Sequence, residues 1–172
     1  MDIPVRKHPR LRDYDYSQNG AYFVTVCTRN KERILSSIVG HALKLAFNAA
    51  STLPSDLGIN IKLTCYGKIV DKHIKLIPIY YKHITVDNYV IMPNHIHMLL
   101  RFESEENENV SKVNLMTFIR SFKTFITKEL RKSIWQDSFY EHIIRDERDY
   151  YSHWQYIDDN PARWLEDKYY AP

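Results

Sequence analysis

Two histidines one residue apart, His95 and His97, stand near the end of the apolar run VIMPNHIHMLL, Val90 to Leu100. A β-strand has a side-chain period of two, so both imidazoles face one way while Ile96, Met98 and Leu100 face the other. Two nitrogens on one face can bind one divalent ion, and two alone make a weak site. In the segment DYYSHWQYIDDN, Tyr156 and Asn160 are four residues apart and therefore share one face of a helix. If that face lies over the histidine strand, Asn160 adds an oxygen ligand and Tyr156 stands beside the ion. A tyrosine oxygen so placed could attack a phosphate and form a covalent ester, with the ion drawing charge from a nonbridging oxygen. The bland alternatives are a hydrogen-bonded histidine pair and a packing tyrosine. With thirteen tyrosines in the chain, spacing alone does not exclude Tyr150 or Tyr151 from the chemical role.

The elements that must position these residues follow from patterning. AYFVTVCT, Ala21 to Thr28, is β-branched and aromatic after the turn pair Asn19-Gly20 and reads as an interior strand. GKIVDKHIKL, Gly67 to Leu76, has helical spacing and stops at Pro78. ITVDNYVIM and His95 to Phe102 are two strands broken by Pro93-Asn94, hence an antiparallel pair. Leu115, Ile119, Phe122 and Ile126 mark an amphipathic helix over Lys112 to Leu130, with Ser111 as a candidate cap. FYEHII is a short strand, and Asp146 opens a last helix whose first turn is acidic. Residues 40–63 resist assignment: short strands or a broken helix with a surface loop. The order predicts an α+β domain, a ferredoxin-like split β-α-β core with a central antiparallel sheet and helices packed on one face. It divides into a basic arm at 1–20, one catalytic domain at 21–167 and a short tail at 168–172.

A chain of 172 residues fits one such domain. No apolar run is long enough to span a bilayer, no secretory signal is read at the amino terminus, and the two cysteines build no disulfide framework. A cytoplasmic location and no membrane partner are expected. Net charge is only +3, but it is unevenly spread. Arg6, Lys7, Arg10 and Arg12 crowd the amino terminus, and Lys112 to Lys132 holds one acidic residue, Glu129. Such asymmetry can attract a phosphate backbone, or it is a set of solvated helix faces.

The blocks YDYSQNGAYFVTVCT, VIMPNHIHMLL, FIRSFKTFITKEL, IWQDSFYEHIIRDERDY and YIDDNPARWLED, in that order, resemble the REP-associated tyrosine transposases. These are relatives of the single-tyrosine insertion-sequence transposases of the HUH endonuclease superfamily, and the likeness spans roughly Arg10 to Asp167. It implies a ferredoxin-like fold with His95 and His97 as metal ligands, Tyr156 as nucleophile and magnesium or manganese as cofactor. The position of the family's third ligand holds Asn160, a shorter amide than the glutamine found in relatives. The implied activity is cleavage and rejoining of single-stranded DNA, as a hairpin of palindromic repeats, through a 5′-phosphotyrosine. Arg120, Lys123 and Lys128 would contact phosphates, Lys123 foremost, with Arg10 and Arg12 of the arm reaching a groove of the hairpin. Relatives act as monomers or homodimers. A second reading is a domesticated, non-cleaving binder of structured nucleic acid, and a third is a small metal-dependent phosphoesterase.

Overall fold

The structure is a computed structural model, and it describes residues 14–39, 60–103, 113–164 and 169. The arm residues Arg6, Lys7, Arg10 and Arg12, Ser111, Lys112, residues 40–59 and most of the tail lie outside them.

Four strands form the central sheet: β1 (Gly20–Cys27), β4 (Ile84–Ile91), β5 (His95–Phe102) and β6 (Tyr140–Ile143), in the order β4-β5-β1-β6 and antiparallel throughout. A smaller ribbon joins β2 (Ser36–Val39) to β3 (Asn60–Leu63). The helices are α1 (Cys65–Lys75), the one-turn α2 (Ile77–Tyr80), α3 (Leu115–Leu130) and α4 (Glu147–Asp159).

Each of the three longer helices starts where a side chain can satisfy an orphan backbone N–H. Thr64 caps α1 through Gly67 N, Asn114 caps α3 through Thr117 N, and Asp146 caps α4 through Asp149 N. The expected α3 therefore begins three residues later than its basic pattern does. Pro78 does not end the helical course after α1. It sits in the first turn of α2, where a missing N–H costs nothing. Gly67 is obligatory for packing: a Cβ there would stand 2.0 Å from the Leu35 carbonyl oxygen.

Strand alternation sends two sets of side chains to opposite faces. Tyr22, Val24, Val26, Ile96, Met98 and Leu100 face α1 and α3, joining Val70, Ile74, Phe118, Ile119, Phe122 and Ile126 in the larger core. Phe23, Val90 and Leu99 face the other way and pack with Ile157 and Trp164. This second layer overturns the expectation of helices on one face. The reason is physical: β1 and β5 are buried on both sides, and α4 covers the side that α1 and α3 leave open.

Among the described residues, no helix is long and apolar enough to cross a membrane.

Candidate active site

The α4 face of the sheet carries the two histidines of the candidate site. In the β1–β5 register, Cys27 lies opposite His95 and Thr25 opposite His97, so the two imidazoles project together beneath α4. Both are fully buried, and their Nε2 atoms are 3.0 Å apart.

The hydrogen bonds fix which His95 nitrogen carries a proton. Asn94 directs its amide nitrogen at the carbonyls of Tyr169 (2.8 Å) and Lys31 (3.3 Å), which leaves its Oδ1 for His95 Nδ1 at 2.8 Å. An amide oxygen only accepts, so His95 is protonated on Nδ1 and presents a lone pair at Nε2. His97 Nδ1 is held by Thr25 Oγ1 at 2.8 Å, and a hydroxyl can donate or accept. Without an ion, the His97 Nε2–H donates to His95. With its proton on Nδ1 instead, His97 offers a second lone pair to the same point. Two nitrogens bound to one ion at right angles, each about 2.1 Å away, stand about 3 Å apart. The donor set and the observed separation fit a divalent ion. Asn94 is itself fixed by the hairpin: its carbonyl accepts from Thr28 N (2.8 Å) and Thr28 Oγ1 (2.9 Å).

Tyr156 reaches this pair from α4 of the same chain. Its ring centroid is 5.2 Å from that of His97 at 66°, and Phe23 touches both, at 5.1 Å from His97 and 5.8 Å from Tyr156. Asn160, one turn on, is buried at the end of the same helix. Trp164 and Tyr169 add further rings, 6.0 and 4.8 Å from His95. Neither was singled out from sequence, because position near the chain end carries no periodic signal.

The two neighbouring tyrosines are otherwise engaged. Tyr150 donates to Asp87 Oδ2 at 2.9 Å, and burial together with that hydrogen bond pushes its pKa up to about 12. Asp87 occupies a bulge in β4 and also receives Arg101. Tyr151 is 60% exposed.

A second cluster lies at the amino-terminal end of α4. His142 Nε2 is 2.9 Å from Asp149 Oδ2, and His153 Nδ1 is 3.1 Å from Asp149 Oδ1. These three residues form a group able to hold a divalent ion. Burial pushes the Asp149 pKa up, but hydrogen bonds from His142 and Arg145 N, with the His142 and His153 charges, outweigh it and hold the carboxyl below its usual range. From sequence, His142 had no assigned role, and Asp149 and His153 were not singled out.

The basic residues of α3 are elsewhere. Arg120, Lys123 and Lys128 line a cleft of about 610 Å³ with Trp135, Gln136 and Ser138. Its walls Ile119 and Trp135 belong to the larger core, so the cleft is on the opposite side of the sheet from the histidine pair. Arg120 is exposed, whereas half-buried Lys123 donates to the carbonyls of Gln136 and Asp137 (the latter at 2.9 Å). Burial lowers its pKa, against the opposing pull of Asp137 and Cys27.

No protein-family model matches the chain. An uncharacterised protein of Haemophilus influenzae is 29% identical, over 98% of this chain and 95% of its own length. A second protein of that organism, named as a candidate REP-associated tyrosine transposase, is 32% identical over 42% of this chain and 47% of its own length. The solved structure of a REP-associated tyrosine transposase bound to a REP hairpin superposes with a TM-score of 0.56 and 22% identity, covering 92% of this chain and 76% of that one. The chain thus resembles the REP-associated, single-tyrosine HUH transposases in sequence and in fold.

Proposed function

We propose that this protein is a metal-dependent enzyme that cuts and rejoins single-stranded DNA, with Tyr156 as nucleophile, on a ferredoxin-like core. The observation that carries the reading is the pairing of the Tyr156 ring with His97 inside one chain, 5.2 Å between centroids. The sheet order β4-β5-β1-β6, with α1 before the central hairpin and α3 after it, supports the split β-α-β description.

His95 and His97 would hold the ion through Nε2, with Asn160 as the candidate oxygen ligand. A bound magnesium or manganese ion supplies charge neutralisation at a nonbridging phosphate oxygen. The protein's own residues do the rest. Asn94 and Thr25 fix the two rings, Phe23 braces His97 and Tyr156 together, and the buried surroundings keep water from competing with the phenol. The Tyr156 oxygen, giving up its proton, bonds to phosphorus as the P–O3′ bond breaks, and the released 3′-oxygen takes a proton. The resulting 5′-phosphotyrosine keeps the phosphodiester's energy, so a 3′-hydroxyl can attack it and reseal the strand. The substrate is assigned as hairpin DNA by likeness to the hairpin-bound relative. Exposed Arg120 and Lys128, with Arg10 and Arg12 of a basic arm, are assigned to phosphate contacts.

The test is a denaturing gel after incubation with a labelled hairpin of palindromic repeat sequence and manganese. Wild type is expected to form a covalent adduct that Tyr156→Phe lacks, with hairpin affinity within about twofold. An equal adduct in Tyr156→Phe removes Tyr156 as nucleophile. Hairpin binding with no adduct from wild type would instead favour the non-cleaving binder.

A further inference from the structure

His142, Asp149 and His153 come from two consecutive elements, β6 and α4, joined by residues 144–146. His142 pairs across the sheet with Phe23, while Asp149 and His153 are on successive turns of α4. Their donor atoms all lie within 4.8 Å of one another. The side chains are 30, 20 and 22% exposed, so the group is accessible to an ion without rearrangement of the core. Asp149 is also oriented by Arg145 N at 3.1 Å, which points its carboxylate at the histidines.

We infer that this trio is a metal centre distinct from the His95/His97 pair, taking a borderline divalent ion such as zinc and clamping the start of α4 to β6. Two imidazoles and one carboxylate are a donor set that suits zinc or cobalt. Three protein ligands leave a fourth position for water. In the ion-free protein, His142 donates to the Asp149 carboxylate and His153 Nδ1 donates to the Asp149 carbonyl at 2.9 Å. An ion would take the place of the proton that His142 donates to the Asp149 carboxylate.

The clamp has a reach beyond its ligands. The Phe23 ring is 4.7 Å from His153 and 5.1 Å from His97, and His153 precedes Tyr156 by three residues on α4. An ion that stiffens this end of α4 therefore stiffens the ring packing around Tyr156. That consequence rests on the proposed function, while the ion site itself does not.

Cobalt titration of the full-length His97→Ala protein isolates the cluster, with visible absorption as readout and zinc as competitor. One cobalt per chain is expected, displaced by zinc, and adding His142→Ala should weaken binding at least about tenfold. A His97→Ala protein that takes up neither ion overturns the proposal, as does an unchanged affinity in the double variant. Paramagnetic NMR on the His97→Ala protein gives the same answer without altering the cluster. Cobalt-shifted imidazole protons of His142 and His153 support it, and shifts confined to other residues overturn it. If cobalt binds in this way while Tyr156→Phe still forms the DNA adduct, the clamp stands and the nucleophile assignment falls.

Discussion

The Tyr156 phenol ring meets the His97 imidazole within a single chain, at 66° and 5.2 Å between centroids, with the Phe23 ring touching both. A monomer therefore contains the elements of the candidate site. The contact joins the last helix to the middle of the sheet, and it exists because α4 packs on the face that α1 and α3 leave uncovered.

Tyr150 supplies the internal control for the nucleophile. Its hydroxyl is bound to Asp87 and its pKa is raised to about 12, so it is the wrong tyrosine for attack at neutral pH. Tyr150→Phe should keep the DNA adduct and lose about 1.5–3 kcal/mol of stability, the net value of one hydrogen bond to a charged acceptor. The sign of the pH effect follows from the raised pKa. Its stabilising contribution is complete below pH 10, the ordinary tyrosine value, and fades as pH climbs towards 12. Urea denaturation of wild type and Tyr150→Phe at pH 7 and at pH 11 measures it: the gap should narrow at the higher pH.

Thr25 is the partner of His97 Nδ1, at 2.8 Å, and under the proposed function it holds that ring with a lone pair towards the ion. Thr25→Val keeps the volume and β-branching but removes the partner of His97 Nδ1. The ring then loses the hydroxyl that satisfies Nδ1 and holds its orientation, and the manganese concentration for half-maximal cleavage should rise about 10- to 100-fold with the fold intact. Cleavage assays across a manganese series, with circular dichroism as the check on folding, decide it. An unchanged manganese dependence would mean that the hydroxyl does not orient the ligand.

Much of this architecture was legible because its causes are local. The alternation in AYFVTVCT and HIHMLL, the 4-3-4 spacing of Leu115, Ile119, Phe122 and Ile126, and the cap Asp146 each write their element into adjacent residues. His95 and His97 share a face by arithmetic alone. Which face α4 would cover was not legible, since both faces of β1 and β5 are buried and a strand's pattern does not name the helix that covers each side. Ser36–Val39 was missed because SSIV is too short to show a period. The partners Asn94, Thr25 and Tyr169 are set by register and chain reversal. Lys123 illustrates the same limit: its charge is visible in sequence, but its two carbonyl acceptors come from a loop beyond the end of α3.

Gly67 marks where backbone meets backbone. Because an added Cβ would fall 2.0 Å from the Leu35 carbonyl oxygen, Gly67→Ala must push α1 away from the chain leading into β2. The gain in helix propensity, about 1 kcal/mol, is too small to offset that clash, and a net loss of about 2 kcal/mol or more is expected. Thermal unfolding of the two proteins reads it directly. A rise in Tm would show that the contact relaxes freely.

Lys123 and Arg120 sit one helical turn apart yet should fail in different assays. Lys123 is half-buried and its ammonium ties α3 to the Gln136–Asp137 backbone. Removing it leaves two carbonyls short of a donor, so Lys123→Ala should cost about 1–3 kcal/mol of stability. Arg120 is exposed at the same cleft and has no such structural duty among the described contacts. Arg120→Ala should therefore leave Tm within about a degree while weakening hairpin binding. If the contact is to phosphate, the loss is similar for unrelated hairpin sequences, and the slope of log affinity against log salt falls by about 1. Binding isotherms at four salt concentrations, beside melting curves for both variants, separate the two roles. A Lys123→Ala protein that melts like wild type but binds DNA poorly would return Lys123 to the phosphate-contacting set.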